Sequence, residues 1–300
     1  MKPGKELLFL GVISIIFLAG CVGPPETPSG NGVIIKSFAP DLTEVEGNSP
    51  MTFLITVQNV GEKKATQVGA VLFGLSQEWK KADGTTPFNT ETTGPWDLAP
   101  VDTSSGFSGE EAVGSFDVKT PPGKSSDITY DATVRVVYVY STVSDSLARF
   151  VTSDYLRVNS EAQKGIMTSK STSGPLLVTV KAQAPIISAG STQARVQFEI
   201  QNIAGGRVFK NATVASDLDI IKTVKVSAPG IRTCRGVNAQ GGVVTITDTI
   251  RLAGGKSSII TCDFDVSGII NFQDIPITLE LGYNYFVESA TQVTVHKAFQ

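Results

Sequence analysis

An all-β fold is predicted by three features of this 300-residue chain. Short alternating or β-branched runs recur along it, clusters of Gly, Pro, Asn, Asp and Ser separate them, and the 3.6-residue apolar period of a long helix is missing. Many short strands joined by turns pack as sandwiches or barrels rather than as alternating β and α units. The length exceeds one ordinary sandwich and suits two domains.

Strands are predicted at residues 33–38, 52–59, 67–75, 127–142 and 148–158 in the first half. In the second they fall at 176–182, 194–202, 222–227, 243–251, 258–266, 275–285 and 291–297. An internal repeat organises them. Ile55-Thr56-Val57-Gln58-Asn59-Val60 returns as Phe198-Glu199-Ile200-Gln201-Asn202-Ile203, which places Asn202 143 residues after Asn59 (202 minus 59). Gly-containing turns precede both, at Glu46-Gly47-Asn48 and Ala189-Gly190-Ser191. The Tyr138-Val139-Tyr140 triplet returns as Tyr283-Asn284-Tyr285, 145 residues on (283 minus 138). A third pair, Gly123-Lys124-Ser125-Ser126 and Gly255-Lys256-Ser257-Ser258, has a shorter offset and implies loops of different length in the two copies. Asn and Gly after the strand suit a turn, and the amide can bond its local backbone. Period-two alternation puts the two rings of each Tyr-x-Tyr on one face, either in the core or as an exposed platform for a glycan.

The N-terminus has its own logic. Lys2 and Lys5 precede an apolar run from Leu7 to Leu18 broken only by Gly11 and Ser14, and small residues Ala19 and Gly20 follow. That is the three-part pattern of a signal peptide, residues 1–20. Leu18-Ala19-Gly20-Cys21 resembles the lipobox of prokaryotic lipoproteins. The resemblance implies that the Cys21 thiol is alkylated by lipid, and that the mature chain starts there, exported and anchored to the outer face of the cytoplasmic membrane or within the cell envelope. Residues 22–32 hold three prolines and three glycines and no apolar mass, so 21–32 reads as a lipidated stalk. Fully extended, it reaches roughly 35 to 40 Å. An uncleaved membrane helix is the alternative; against it, a span needs about 20 mostly apolar residues, and Pro24 and Pro25 intervene.

An extended run ending in Val57-Gln58-Asn59-Val60-Gly61, and the Leu252-Ala253-Gly254-Gly255-Lys256 turn ahead of a strand, resemble CARDB and related immunoglobulin-like modules of archaeal and bacterial surface proteins. The resemblance implies two tandem immunoglobulin-like β-sandwich domains, at 33–159 and 175–300. The polar segment 160–174 is the linker between them.

Composition narrows the chemistry. Net charge is -3 and the chain holds one histidine, His296, and three cysteines. No basic field draws in nucleic acid, and His-based acid–base or metal chemistry has little to work with. No cofactor and no metal are expected. With Cys21 given to lipid, Cys234 and Cys262 form an even pair in an oxidising compartment, and a disulfide is the natural reading, with two free thiols as the alternative. Gly123 and Gly255 head Gly-Lys-Ser sequences, but Val118 and Ile250 stand where a phosphate loop needs glycine, so both read as hairpin turns. The carboxylate pairs Asp217 and Asp219, and Asp263 and Asp265, lack the spacing of a calcium loop and read as solvated strand faces.

Residues 78–114 carry both tryptophans. Long loops on rigid β scaffolds carry recognition, and tryptophan anchors binding surfaces. Trp79, Phe88, Trp96 and Phe107 are therefore candidate anchors, with a structural role at the edge of the core as the competing explanation. Asn211 heads an Asn-x-Thr glycosylation pattern. The expected function is non-enzymatic: a membrane-anchored adhesion, scaffold or binding protein whose partner is a surface protein or glycan. An envelope-assembly subunit using strand addition is the alternative, with an unrecognised enzyme behind both.

Overall fold

The computed structural model describes residues 31–161, 168–181, 186–187, 192–211 and 215–298. The leader, Cys21 and nearly all of the stalk lie outside these residues. The first half supplies β1 (Val33–Pro40), β2 (Glu44–Val45), β3 (Pro50–Asn59), β4 (Ala65–Phe73), β5 (Lys80–Lys81), β6 (Glu91–Leu98), β7 (Glu111–Lys119) and β8 (Ile128–Val151), followed by a short helix α1 (Ser153–Val158). The second supplies β9 (Thr168–Ser171), β10 (Leu176–Val180), β11 (Ile186–Ile187), β12 (Gln193–Asn202), β13 (Arg207–Phe209) and β14 (Ile220–Ser227). It continues with β15 (Ile231–Cys234), β16 (Val237–Asn238), β17 (Val243–Arg251), β18 (Ser257–Asp265) and β19 (Phe272–Val295). The predicted all-β class is what the structure shows.

Three sheets form. One runs β1-β3-β7-β5, a second β10-β12-β18-β15-β16, and a ten-stranded sheet runs β17-β14-β19-β8-β4-β6 with β2, β9, β11 and β13 attached. Each smaller sheet faces one half of the large one. Phe264 of β18 meets Phe150 of β8 at 5.4 Å, and Phe53 of β3 reaches Tyr130 of β8 through the ring of Trp79.

The large sheet is organised by β8 and β19, each 24 residues long and paired antiparallel without a register break from Ile128↔Val295 to Val151↔Phe272. Two separate strands were expected in each stretch, at 127–142 with 148–158 and at 275–285 with 291–297; the structure fuses each pair and turns Ser153–Val158 into α1. The physical reason lies in β8. It contains neither Gly nor Pro, and every even position from Ala132 to Phe150 is buried, so the alternation passes unbroken through Val143-Ser144-Asp145-Ser146, which had read as a gap. Hydroxyl side chains are satisfied there: Ser146 Oγ bonds Ser169 Oγ at 3.0 Å.

The order of pairing reproduces an immunoglobulin-like arrangement twice, with one exchange. In the first half β1, β3 and β7 take positions A, B and E, while β6, β4 and β8 take C′, C and F. In the second, β10, β12 and β18 are A, B and E, and β17, β14 and β19 are C′, C and F. An ordinary F strand turns back into its own G. Here β8, which holds neither Gly nor Pro, runs on as the G strand of the other half, and β19 does the same in return. The short strands that pair parallel with each G position confirm the assignment: β2 with Thr294 and Val295 of β19, and β11 with Phe150 and Val151 of β8. One departure is shared by both halves, since the short strands beside E (β5, and β15 with β16) precede C′ in the chain.

The boundary at residues 159 and 175 separates the sequence copies, but the sheets cross it. Of the expected linker 160–174, residues 168–171 are β9, paired with Ser144 to Leu147 of β8; residues 162–167 lie outside the described residues.

Candidate functional site

The waist of the molecule is built by the repeated motifs. Val139 and Asn284 face each other at the centre of the β8–β19 ribbon, with Tyr138↔Tyr285 and Tyr140↔Tyr283 on either side. All four rings are buried and form a closed circuit: Tyr138–Tyr140 5.9 Å, Tyr140–Tyr283 6.2 Å, Tyr283–Tyr285 6.3 Å and Tyr285–Tyr138 5.8 Å between centroids. Such pairs contribute about 0.5 to 1.5 kcal/mol each beyond their area. The glycan-platform alternative for the Tyr-x-Tyr pairs is thereby removed. Burial pushes all four hydroxyls up, those of Tyr140 and Tyr285 to about 12. Tyr283 Oη shares a 2.7 Å bond with Thr142 Oγ1.

The two asparagines do the same work in each copy. Asn59 Nδ2 donates to the carbonyls of Lys63 (2.8 Å) and Leu98 (3.1 Å), and its Oδ1 accepts from Gly61 N. Asn202 Nδ2 donates to Gly206 (2.9 Å) and Gly255 (3.1 Å), and its Oδ1 accepts from Ala204 N and Tyr285 Oη. The backbone N–H of Lys63 donates to Tyr140 Oη at 3.1 Å. The glycines are needed for close approach rather than for a left-handed backbone. A Cβ on Gly61 would stand 2.0 Å from Tyr140 Oη, and one on Gly206 would stand 2.5 Å from the Tyr285 ring.

The predicted binding loop is corrected. Trp79 and Phe88 are fully buried: Trp79 packs on Phe53 at 6.4 Å and edge-on to Tyr130 at 5.5 Å, and the Phe88 N–H bonds the Trp79 carbonyl. The segment folds back over the end of its own sandwich, because two large apolar rings gain more from closing that end than from solvent. Trp96 is half-buried on β6, against Gly114 of β7. Phe107 alone remains exposed, at a tight turn whose Asp102 accepts from Ser104 and Ser105, bonds that draw its carboxyl down to about 2.

Other expectations resolve differently. Cys234 and Cys262 sit opposite each other on β15 and β18 and form a disulfide. Asp219 is not a solvated strand carboxylate; it is buried and held by both Arg207 Nε (3.2 Å) and Nη2 (2.6 Å). Asp263 pairs with Arg195, and Asp265 caps Ser267. Neither Gly-Lys-Ser sequence closes a hairpin. The first joins β7 to β8 and the second β17 to β18, crossing in both cases between sheets, at places that do not correspond in the two halves. That third repeat landmark was a shared turn signal, not a shared position. His296 lies 3.5 Å from both Glu44 and Asp127. Asn211 is exposed, while Thr213 of its pattern lies outside the described residues. Among the described residues no group of His, Cys, Asp and Glu gathers as metal ligands, and no helix is long and apolar enough to cross a membrane.

Two surfaces stand out that sequence reasoning missed. At one end of the ribbon, Ile270 is 87% exposed, Val158 80% and Phe272 47%. Phe272 is braced: its ring lies 5.6 Å from Tyr155 and 5.0 Å from the Arg149 guanidinium, which grips Asp274 through two 2.6 Å bonds. At the waist, a cavity of about 280 Å³ is lined by Asn31, Val33, Ile35, Tyr138, Ala204 and Val287 among others. Ile269-Ile270 between turn residues was the only sequence signal for the first; the second depends on which strand ends where.

No family model matches the chain, and no curated protein matches it. Among solved structures it is similar to a red sea bream transglutaminase (10% identity, TM-score 0.20, 87% of this chain and 31% of that one). It is also similar to a Salmonella α2-macroglobulin (9%, TM-score 0.21, 91% and 17%) and a Bacillus thuringiensis chitinase (7%, TM-score 0.19, 77% and 26%). The chain thus spans less than a third of each of these proteins, and the description of its fold rests on its own strand pairing.

Proposed function

We propose that the chain is an exported lipoprotein, held by lipid on Cys21 at the outer face of the cytoplasmic membrane or in the cell envelope, whose all-β body acts by binding, as an adhesion or scaffold protein. The observation that carries the binding role is the apolar tip of Ile270, Val158 and Phe272. Large apolar side chains exposed at the end of a sheet scaffold, one of them braced by Tyr155 and Arg149, mark contact surfaces. The leader pattern and a disulfide suited to an oxidising compartment support export.

The anchor is tested by Cys21→Ser, whose product leaves the membrane fraction once its leader is removed, and by mass spectrometry of the parent, in which an intact Met1 terminus on an unmodified Cys21 refutes lipidation. The tip is tested by replacing Ile270 and Phe272 with serine. Binding to whole envelopes falls while the melting temperature holds; unchanged binding sinks the assignment. A second reading, a subunit of an envelope assembly joined by strand addition, is favoured by the stretch of β19 between Phe286 and Thr294, with which no strand among the described residues pairs.

A further inference from the structure

The two long strands are equivalent along their pairing, except at one place. On its side away from β19, β8 is covered by β4 up to Val139, by β9 from Ser144 to Leu147, and by β11 at Phe150 and Val151. On its side away from β8, β19 is covered by β14 from Thr278 to Gly282, by β13 from Asn284 to Phe286 and by β2 at Thr294 and Val295. Between Phe286 and Thr294 no strand among the described residues pairs with it. These positions correspond, through the repeat, to the β8 positions that β9 covers.

The polarity of this edge follows from its ends. Thr294 N donates outward to Thr43 O, and His296 N to Val45 O. Alternation then turns the N–H and C=O groups of Glu288, Ala290 and Gln292 to the same side. The gap spans about 23 Å at a strand's rise. Its inner side opens on the waist cavity lined by Val33, Ile35, Tyr138, Ala204 and Val287. On the outer side Glu288 is paired with Arg135, and Gln292 bonds Asp131.

We propose that this gap receives an extended segment of a partner polypeptide, adding as one strand between β13 and β2, with apolar side chains toward the cavity and polar ones outward. This deepens the second reading above, strand addition at β19, and rests on it. Three observations favour that occupant. In the other half the corresponding place is taken by an extended segment, β9. The gap is bounded at both ends by β13 and β2, so its length suits a short extended segment rather than the 24-residue strand of a second copy. The residues of this chain that correspond to β9 are Pro25-Glu26-Thr27-Pro28, and Pro25 falls where an N–H must be donated to the edge.

The test is amide hydrogen exchange on the purified mature protein, with a capped heptapeptide of alternating valine and lysine as probe. Without peptide, the amides of Glu288, Ala290 and Gln292 exchange much faster than those of Asp145 and Leu147. At ten times its dissociation constant the peptide slows them about tenfold, and the same peptide N-methylated at alternate residues does not. Ala290→Pro, which removes an outward N–H but no ladder bond, abolishes the effect while the β8 amides stay protected. No saturable slowing overturns the proposal. So does protection of the three amides in the free protein equal to that of Asp145 and Leu147, which would mean that the chain fills its own gap. Exchange on purified protein is indifferent to cellular location, and Cys21→Ser fractionation is indifferent to the gap, so the two can fail separately.

Discussion

Single side chains at the waist carry much of the specificity of the fold. Asn59 is fully buried with each polar atom of its amide engaged, so Asn59→Ala strands the Lys63 and Leu98 carbonyls and lowers stability by about 1 to 3 kcal/mol. Chemical denaturation measures this; a change under 0.5 kcal/mol contradicts the role. The tyrosines make a second prediction. Their folded pKa values are raised, so the fold favours the neutral hydroxyls; that stability is whole below the ordinary value near 10 and is lost as pH rises toward 12. Absorbance at 295 nm should therefore rise for the four waist tyrosines only together with the loss of near-ultraviolet circular dichroism. Smooth ionisation near pH 10 in the folded protein contradicts their burial. At this scale the sequence was legible where a motif repeated: Asn59 with Asn202, and the two Tyr-x-Tyr pairs, were visible as pairs. Trp79 stayed open between contact and core because a turn-rich segment looks the same whether its rings point outward or close the end of a sandwich; burial decides for the core.

Strands were read well where turn residues bound them and poorly where they did not. β3, β12 and β17 lie close to their expected limits, since each is flanked by Gly, Asn or Pro. β8 was divided at Ser144 and Asp145 because polar residues in a strand resemble a turn when their hydroxyl partners are unknown. Pro276 in β19 shows the converse. Its position on the strand turns the missing N–H to the side away from β8, where β14 has already ended at Thr278, so a proline sits in a long strand without cost to the ladder. The disulfide was legible from cysteine count alone, though not its place between adjacent strands of one sheet. Its sequence separation of 28 gives a chain-entropy contribution of about 3.6 kcal/mol. Replacing Cys234 and Cys262 with alanine should lower the unfolding free energy by up to that amount. Equal stability of the variant and the parent refutes a stabilising bridge.

At the scale of the molecule, the repeat predicted two sandwiches in a row, and the pairing shows two sandwiches that complete each other. Nothing in either copy alone reveals this, because the G position of each half is filled from the other and the exchange is a property of topology. What the sequence does hold is a contributing cause: 24 residues of β8 contain neither Gly nor Pro, and the buried alternation runs unbroken through them. The consequence is mechanical and thermodynamic. Neither half can unfold without removing a strand from the other, so the body behaves as one piece.

The exchange of strands is tested most directly by placing a specific protease site between Gln163 and Lys164, cutting the folded protein, and following it by size exclusion and calorimetry. The two fragments, which no disulfide joins, should elute together at the size of the uncut chain and melt in one transition. Separation into two folded bodies, each with its own transition, would contradict the account.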